Sequence, residues 1–120
     1  MPKKTLVIGA SDNPTRYSYL AVQRLAAHGH PVTALGKRSG QIGKIPIVTD
    51  KPIDTDFDTV SLYLNLGNQE EYYDYVLSLR PKRIIFNPGT ENEAFAAIAS
   101  SAGIQPMEAC TLVLLSTGQF

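Results

Sequence analysis

The chain has 120 residues, eleven basic and eleven acidic side chains, and 43% hydrophobic residues. A chain of that size forms one domain over residues 1–120 that buries ~65% of the surface its unfolded form exposes, so it folds without a disulfide or metal. Balanced charge at this apolar content excludes a disordered tail and a general nucleic-acid binder, and any anionic ligand must be held locally. Cys110, the single cysteine, has no internal partner, and the apolar stretch after "MPKK" is too short for a signal-peptide core or a membrane span. A reducing cytoplasm, with no membrane partner, is the expected setting.

Lys4 to Gly9 reads as a buried strand, because "TLVIG" runs apolar without the alternation of a half-solvated sheet. Tyr17 to His28 reads as a helix with Ala21, Val22 and Leu25 on its buried face and Gly29 as a left-handed stop. "HPVTAL" is a second strand. "GKRSGQIGKIP" is expected to be a loop, and "IVTDKPIDTDFD" to be irregular with at most one short edge strand, its aspartates Asp50, Asp54, Asp56 and Asp58 reading as solvated turn residues. Thr59 to Asn65 suits a third strand. Asn68 and Glu71 then signal a helix start, Tyr72, Tyr75, Val76 and Leu79 fall on one face, and Pro81 ends the helix.

"RIIFN" is a fourth strand. In the "PGTENE" that follows, Thr90 and Glu93 match a capping box, with Phe95, Ile98, Ala99 and Ala102 as the buried stripe and Gly103 as the stop. "QPMEA" is a short fifth strand and "TLVLLSTGQF" a terminal segment packed on the body. This alternation predicts an α/β chain: a three-layer Rossmann-like fold, a mostly parallel sheet of about five strands with helices on both faces. Ligands of such sheets bind beyond the carboxyl ends of the strands, where strand order reverses.

The loop after the first strand carries the strongest signal. Gly9 lets a ligand or the chain itself approach closely, and the helix behind it offers unpaired N–H groups and a partial positive charge, which suit a diphosphate. Ala10, Ser11, Asn13, Pro14, Arg16 and Ser18 complete that candidate cradle, and the ligand reading outweighs a plain turn at this first βα position, although Ser-Asp-Asn-Pro is also good turn chemistry. A Gly-x-Gly-x-x-Gly fingerprint is missing, and after the second strand Gly36, Lys37 and Arg38 stand where an NAD site wants an acid. A nucleotide with a phosphorylated ribose fits better; NADP and coenzyme A both qualify, and a solvated basic loop accounts for the pair as well. Asn65, Asn87, Pro88 and Gly89, in the loops after the third and fourth strands, are the remaining candidates.

The runs "VIGASDNPTRYSYLAVQRLAAHGHPV", "NPGTENEAFAAIASSAGI" and "EACTLVLL" resemble the small stand-alone CoA-binding domain family, which is similar to the nucleotide-binding domain of succinyl-CoA synthetase alpha subunits. The resemblance covers nearly the whole chain. It implies a CoA diphosphate over Gly9 to Asn13 and the helix opening near Ser18, with Lys37 and Arg38 toward the adenosine end. "LGKRSGQIGK" departs from the Asn-Pro that many relatives carry after the second strand.

Catalysis has less support in the residues. The ligases that share such a domain form a phosphohistidine in a separate domain, for which 120 residues leave no room. His28 and His30 flank a helix end, where cations are favoured, and two ligands make a poor zinc site. Cys110 reads as a buried thiol, Glu91 and Glu93 as helix-start residues, and Glu108 or Asn87 as the side chains best placed to act on a thioester. The leading expectation is a binder of coenzyme A or an acyl-CoA that holds its ligand, as a sensor or in presentation to a partner enzyme. A small NADP-dependent or thioester-handling enzyme is the alternative. A third reading is an oligomeric scaffold, such as a homodimer with the tyrosines of Asn68 to Leu79 at its interface.

Overall fold

The apolar runs become the inner strands of a sheet because every side chain in them has a neighbour on both faces. The computed structural model describes residues 2–120. In chain order it comprises β1 (Thr5–Ile8), α1 (Tyr17–Ala27), β2 (Val32–Leu35), β3 (Gly40–Ile42), β4 (Ile45–Val48), β5 (Thr59–Leu62), α2 (Tyr73–Leu79), β6 (Arg83–Phe86), α3 (Glu93–Ser101), β7 (Gln105–Glu108) and α4 (Thr111–Ser116). One sheet runs β3-β4-β2-β1-β5-β6-β7, parallel throughout except for the β3–β4 pair. Strand order reverses at β1, whose neighbours are β2 and β5.

Two cores lie on the two faces. Leu6, Ile8, Val60, Leu62, Ile84 and Phe86 pack under α2 and α3, while Val7, Ala34, Ile47 and Ile85 pack under α1 and α4. Leu6, Val7 and Ile8 are completely buried, and each such side chain contributes about 1.5–3 kcal/mol by leaving water. This is the three-layer Rossmann-like arrangement that the alternation predicts.

The sheet has seven strands instead of about five. The extra pair is a hairpin, β3 and β4, in the segment expected to be mostly loop. Ile42 and Ile47 are buried there, and Gly43 at the tip has φ +60°, a conformation that costs glycine little. Two helix starts also differ from the capping motifs. Asn65, not Asn68, caps the segment after β5, its side chain accepting from the Asn68 N–H at 3.1 Å; two 3-10 turns then precede α2. Asn92 caps α3 by accepting from the Phe95 N–H at 3.0 Å, because the helix begins at Glu93, three residues past Thr90, whose hydroxyl donates to the Asn87 carbonyl at 2.8 Å. Phe95 and Ala99 are buried on α3 as expected, but Ile98 is 39% exposed and Ala102 is exposed. Asp54 and Asp56 pair with Lys4 at 2.8 and 2.6 Å, so they tie their segment to the start of β1.

Candidate functional site

The carboxyl ends of β1 and β5 lie side by side at the point where strand order reverses, and the chain leaves β1 on glycine. Gly9 has φ +92°, and a Cβ there would stand 2.9 Å from the Tyr63 carbonyl carbon and oxygen. Its glycine is therefore required by the chain's own close approach. Gly9 and Ala10 both donate to the Leu35 carbonyl at 3.0 Å, and a Cβ on Gly36 would run into the Ala10 carbonyl oxygen. The first loop thus rests on the end of β2.

Beyond this crossing, residues 11–16 turn on their own side chains. Ser11 Oγ accepts from the Asn13 N–H at 3.1 Å, and Asn13 Oδ1 accepts from the Thr15 N–H at 3.0 Å and the Thr15 hydroxyl at 2.7 Å. Arg16, at the N-cap of α1, supplies no side-chain acceptor. The first-turn N–H groups of an eleven-residue helix are left open, with the positive end of the helix dipole behind them.

A cavity of about 950 Å³ opens over this loop. Gly9, Ala10, Ser11, Asn13, Arg16 and Ser18 line it, together with Lys37, Arg38 and Asn65 from the loops after β2 and β5. Lys37 and Arg38 are exposed, and neither is in an ion pair among the described residues. The arrangement offers three cations and a row of backbone donors to an anion, with a mixed polar and apolar wall from Tyr63 and Leu64.

Five other predicted residues lie outside the lining. Pro14 is exposed on the far side of the loop, and Gly36 is buried beneath the first loop. Asn87 is 1% exposed and fully engaged: its Nδ2 donates to Leu62 O and Ser61 Oγ at 2.9 and 3.0 Å, and its Oδ1 accepts from the Thr111 N–H at 2.9 Å. Pro88 and Gly89 form the exposed turn that follows, where the Gly89 N–H donates to Glu91 at 3.0 Å. Asn87 reads as a buried tie between β5, β6 and α4.

Asp12, Thr15, Tyr17, Tyr63 and Leu64 also line the cavity and escaped the sequence reading. Their only sequence signal is adjacency to residues chosen for chemistry. Asp12 is the informative omission, since a Cβ on Gly40 would meet its carboxylate oxygen at 2.8 Å. An acid therefore faces the loop after β2 although no acid ends that strand. Cys110 is half-buried at the start of α4 and Glu108 is exposed at the end of β7; neither lines the cavity.

Residues 3–116 match the family described as CoA binding domain. The chain belongs to that family. None of the curated proteins compared with this CoA-binding domain matches it. Among solved structures, an uncharacterised protein is similar at 48% identity with a TM-score of 0.97, over 100% of this chain and 99% of that one. A hypothetical protein from Pyrococcus horikoshii is similar in fold at 20% identity and a TM-score of 0.82, over 97% of this chain and 83% of that one. A Thermus thermophilus protein gives 20% identity and a TM-score of 0.81, over 98% and 91%. No helix among the described residues is long and apolar enough to cross a membrane.

Proposed function

We propose that this CoA-binding domain holds coenzyme A or an acyl-CoA in the cavity over the first loop. The diphosphate lies on the backbone of Gly9 to Asn13 and the open first turn of α1, and Lys37 and Arg38 receive the ribose phosphate. The observation that carries this reading is that one cavity gathers an uncapped helix start and the basic pair from the neighbouring loop. Backbone donors at a helix start bind phosphate oxygens without further help, and charge-assisted bonds from lysine and arginine add to them. The role is to hold the ligand, in a reducing cytoplasm, for sensing or for presentation to a partner enzyme. NADP is the second reading, favoured by the same basic pair, because it too carries a phosphorylated ribose.

Calorimetric titration with CoA, dephospho-CoA, NADP and NAD tests the assignment. CoA is expected to bind most tightly and dephospho-CoA more weakly. Tight binding of NADP with silence toward CoA overturns it. Replacing Arg38 by Ala should weaken CoA about 5-fold, as for loss of one exposed charge-assisted contact, and leave dephospho-CoA nearly unchanged. Equal loss for both removes the ribose phosphate from that loop.

A further inference from the structure

One carboxylate stands in a cavity whose other charges are all positive. Asp12 lines it beside Arg16, Lys37 and Arg38, is exposed, and is in no ion pair among the described residues. The turns of its loop are made by Ser11 and Asn13, whose side chains accept from the Asn13 and Thr15 N–H groups, and those turns leave the Asp12 side chain out. An acid beside a phosphate site repels the ligand unless it meets a proton donor there.

The neighbouring loop is shaped to seat this acid. A Cβ on Gly40 would stand 2.8 Å from Asp12 Oδ2 and 3.1 Å from its Cβ and Cγ. Gly40 is not among the glycines with positive φ, so its backbone suits any residue, and it is the space filled by the carboxylate that asks for glycine. Gly40 follows Arg38 by two residues. The carboxylate therefore sits at the junction of the first loop and the loop that carries the basic pair. A nucleotide with its diphosphate on the first loop and its sugar phosphate at Lys37 and Arg38 brings its ribose to that junction. In coenzyme A this ribose has a single proton donor, the 2′ hydroxyl.

We infer that Asp12, seated on Gly40, accepts the hydrogen bond of the ribose 2′ hydroxyl of coenzyme A and so reads the sugar between the two phosphate sites. This rests on the CoA site proposed above. A hydroxyl bonded to a carboxylate is held about twice as strongly as by a neutral acceptor. The three cations of the same lining offset the repulsion between the acid and the phosphates. The acid that such a sheet commonly supplies from the end of its second strand comes here from the first loop.

The test is calorimetric titration of the wild-type chain, Asp12→Ala and Gly40→Ala with CoA and with 2′-deoxy-CoA, which lacks only that hydroxyl. The wild type should bind 2′-deoxy-CoA about 10-fold more weakly than CoA, the loss expected for one hydrogen bond to a charged group. Asp12→Ala should bind the two ligands alike. Gly40→Ala, whose methyl group displaces the carboxylate, should narrow the gap in the same direction. Equal wild-type affinities, or a gap that persists undiminished in either variant, overturns the inference and leaves the CoA site standing. A preference set by the pucker of the sugar, or an acid that merely repels both ligands, gives that persistent gap. Wild-type silence toward both ligands overturns the site and the inference together.

Discussion

The two edges of the sheet treat their polar groups in opposite ways. At the amino edge they are consumed internally. Arg83 donates to Thr59 Oγ1 at 2.7 Å and to the Phe120 carbonyl at 2.8 Å, and its guanidinium lies 4.4 Å from the Phe120 ring centre. The Lys3 N–H donates to His30 Nδ1 at 2.9 Å, and His30 packs on Phe120 with ring centres 4.9 Å apart. At the carboxyl edge, by contrast, a helix start has no side-chain cap and two cations have no ion pair among the described residues. The same fold therefore spends its polar groups on stability at one end and leaves them available at the other. The Asn87 to Thr90 loop sharpens the lesson, since it lies on the carboxyl edge and yet is closed like the amino edge.

Substitutions at the two edges should separate stability from binding, and the largest effect tests where that separation fails. Gly36→Ala forces a methyl group against the Ala10 carbonyl and Ile47 at the junction of the two cavity loops. It should cost about 3 kcal/mol in denaturant unfolding and weaken CoA as well, since overpacking there moves the first loop. Arg83→Ala is the pure amino-edge case. Losing its buried hydrogen bonds should cost about 2 kcal/mol, with CoA affinity of the folded protein unchanged by calorimetry. A parallel loss of affinity would mean that the edges are coupled.

The smallest effect is pH dependence at His30. Burial, followed by the nearby His28, Lys3 and Arg83 charges, lowers its pKa below 6.5 in the fold. As pH falls below about 7, the unfolded chain takes up this proton before the folded one does, so His30's share of stability is lost across the acid window between the two pKa values. Below the folded pKa the contribution changes no further. Urea midpoints measured across this range should decline, and His30→Gln should flatten that stretch of the profile.

Much of the fold could be read because long apolar runs and glycine stops admit few alternatives. β1, β5 and β6 are continuous buried runs, and Gly29 and Gly103 adopt positive φ where they end α1 and α3. The β3–β4 hairpin escaped because glycines and cations punctuate the "GKRSGQIGKIP" stretch that holds most of it, although Ile42, Ile45 and Ile47 carry its inward pattern. The capping residues escaped for a different reason. Thr90 fits the motif, but the helix begins only at Glu93, so Asn92 is the cap and the Thr90 hydroxyl closes the turn onto the Asn87 carbonyl three residues back. In the site, charge and glycine pointed to the first loop and the basic pair, whereas Asp12 and Tyr63 join the lining through geometry that no local spacing encodes. Asn87 looked like a ligand residue for the same reason, since sequence position gives the edge of the sheet but not whether a side chain is already spent.

The hairpin also divides the surface for anyone who would build on this domain. Because β4 runs parallel to β2, its tip at Gly43 and Lys44 emerges at the amino edge, away from the cavity, while Gly40 at its other end abuts Asp12. Gly43 has open space around it and both tip residues are exposed. A fluorescent reporter or affinity tag spliced between them should be tolerated, as insertions at exposed loop tips generally are. The same splice between Gly9 and Asp12 would have to pry apart strand ends whose backbones already touch.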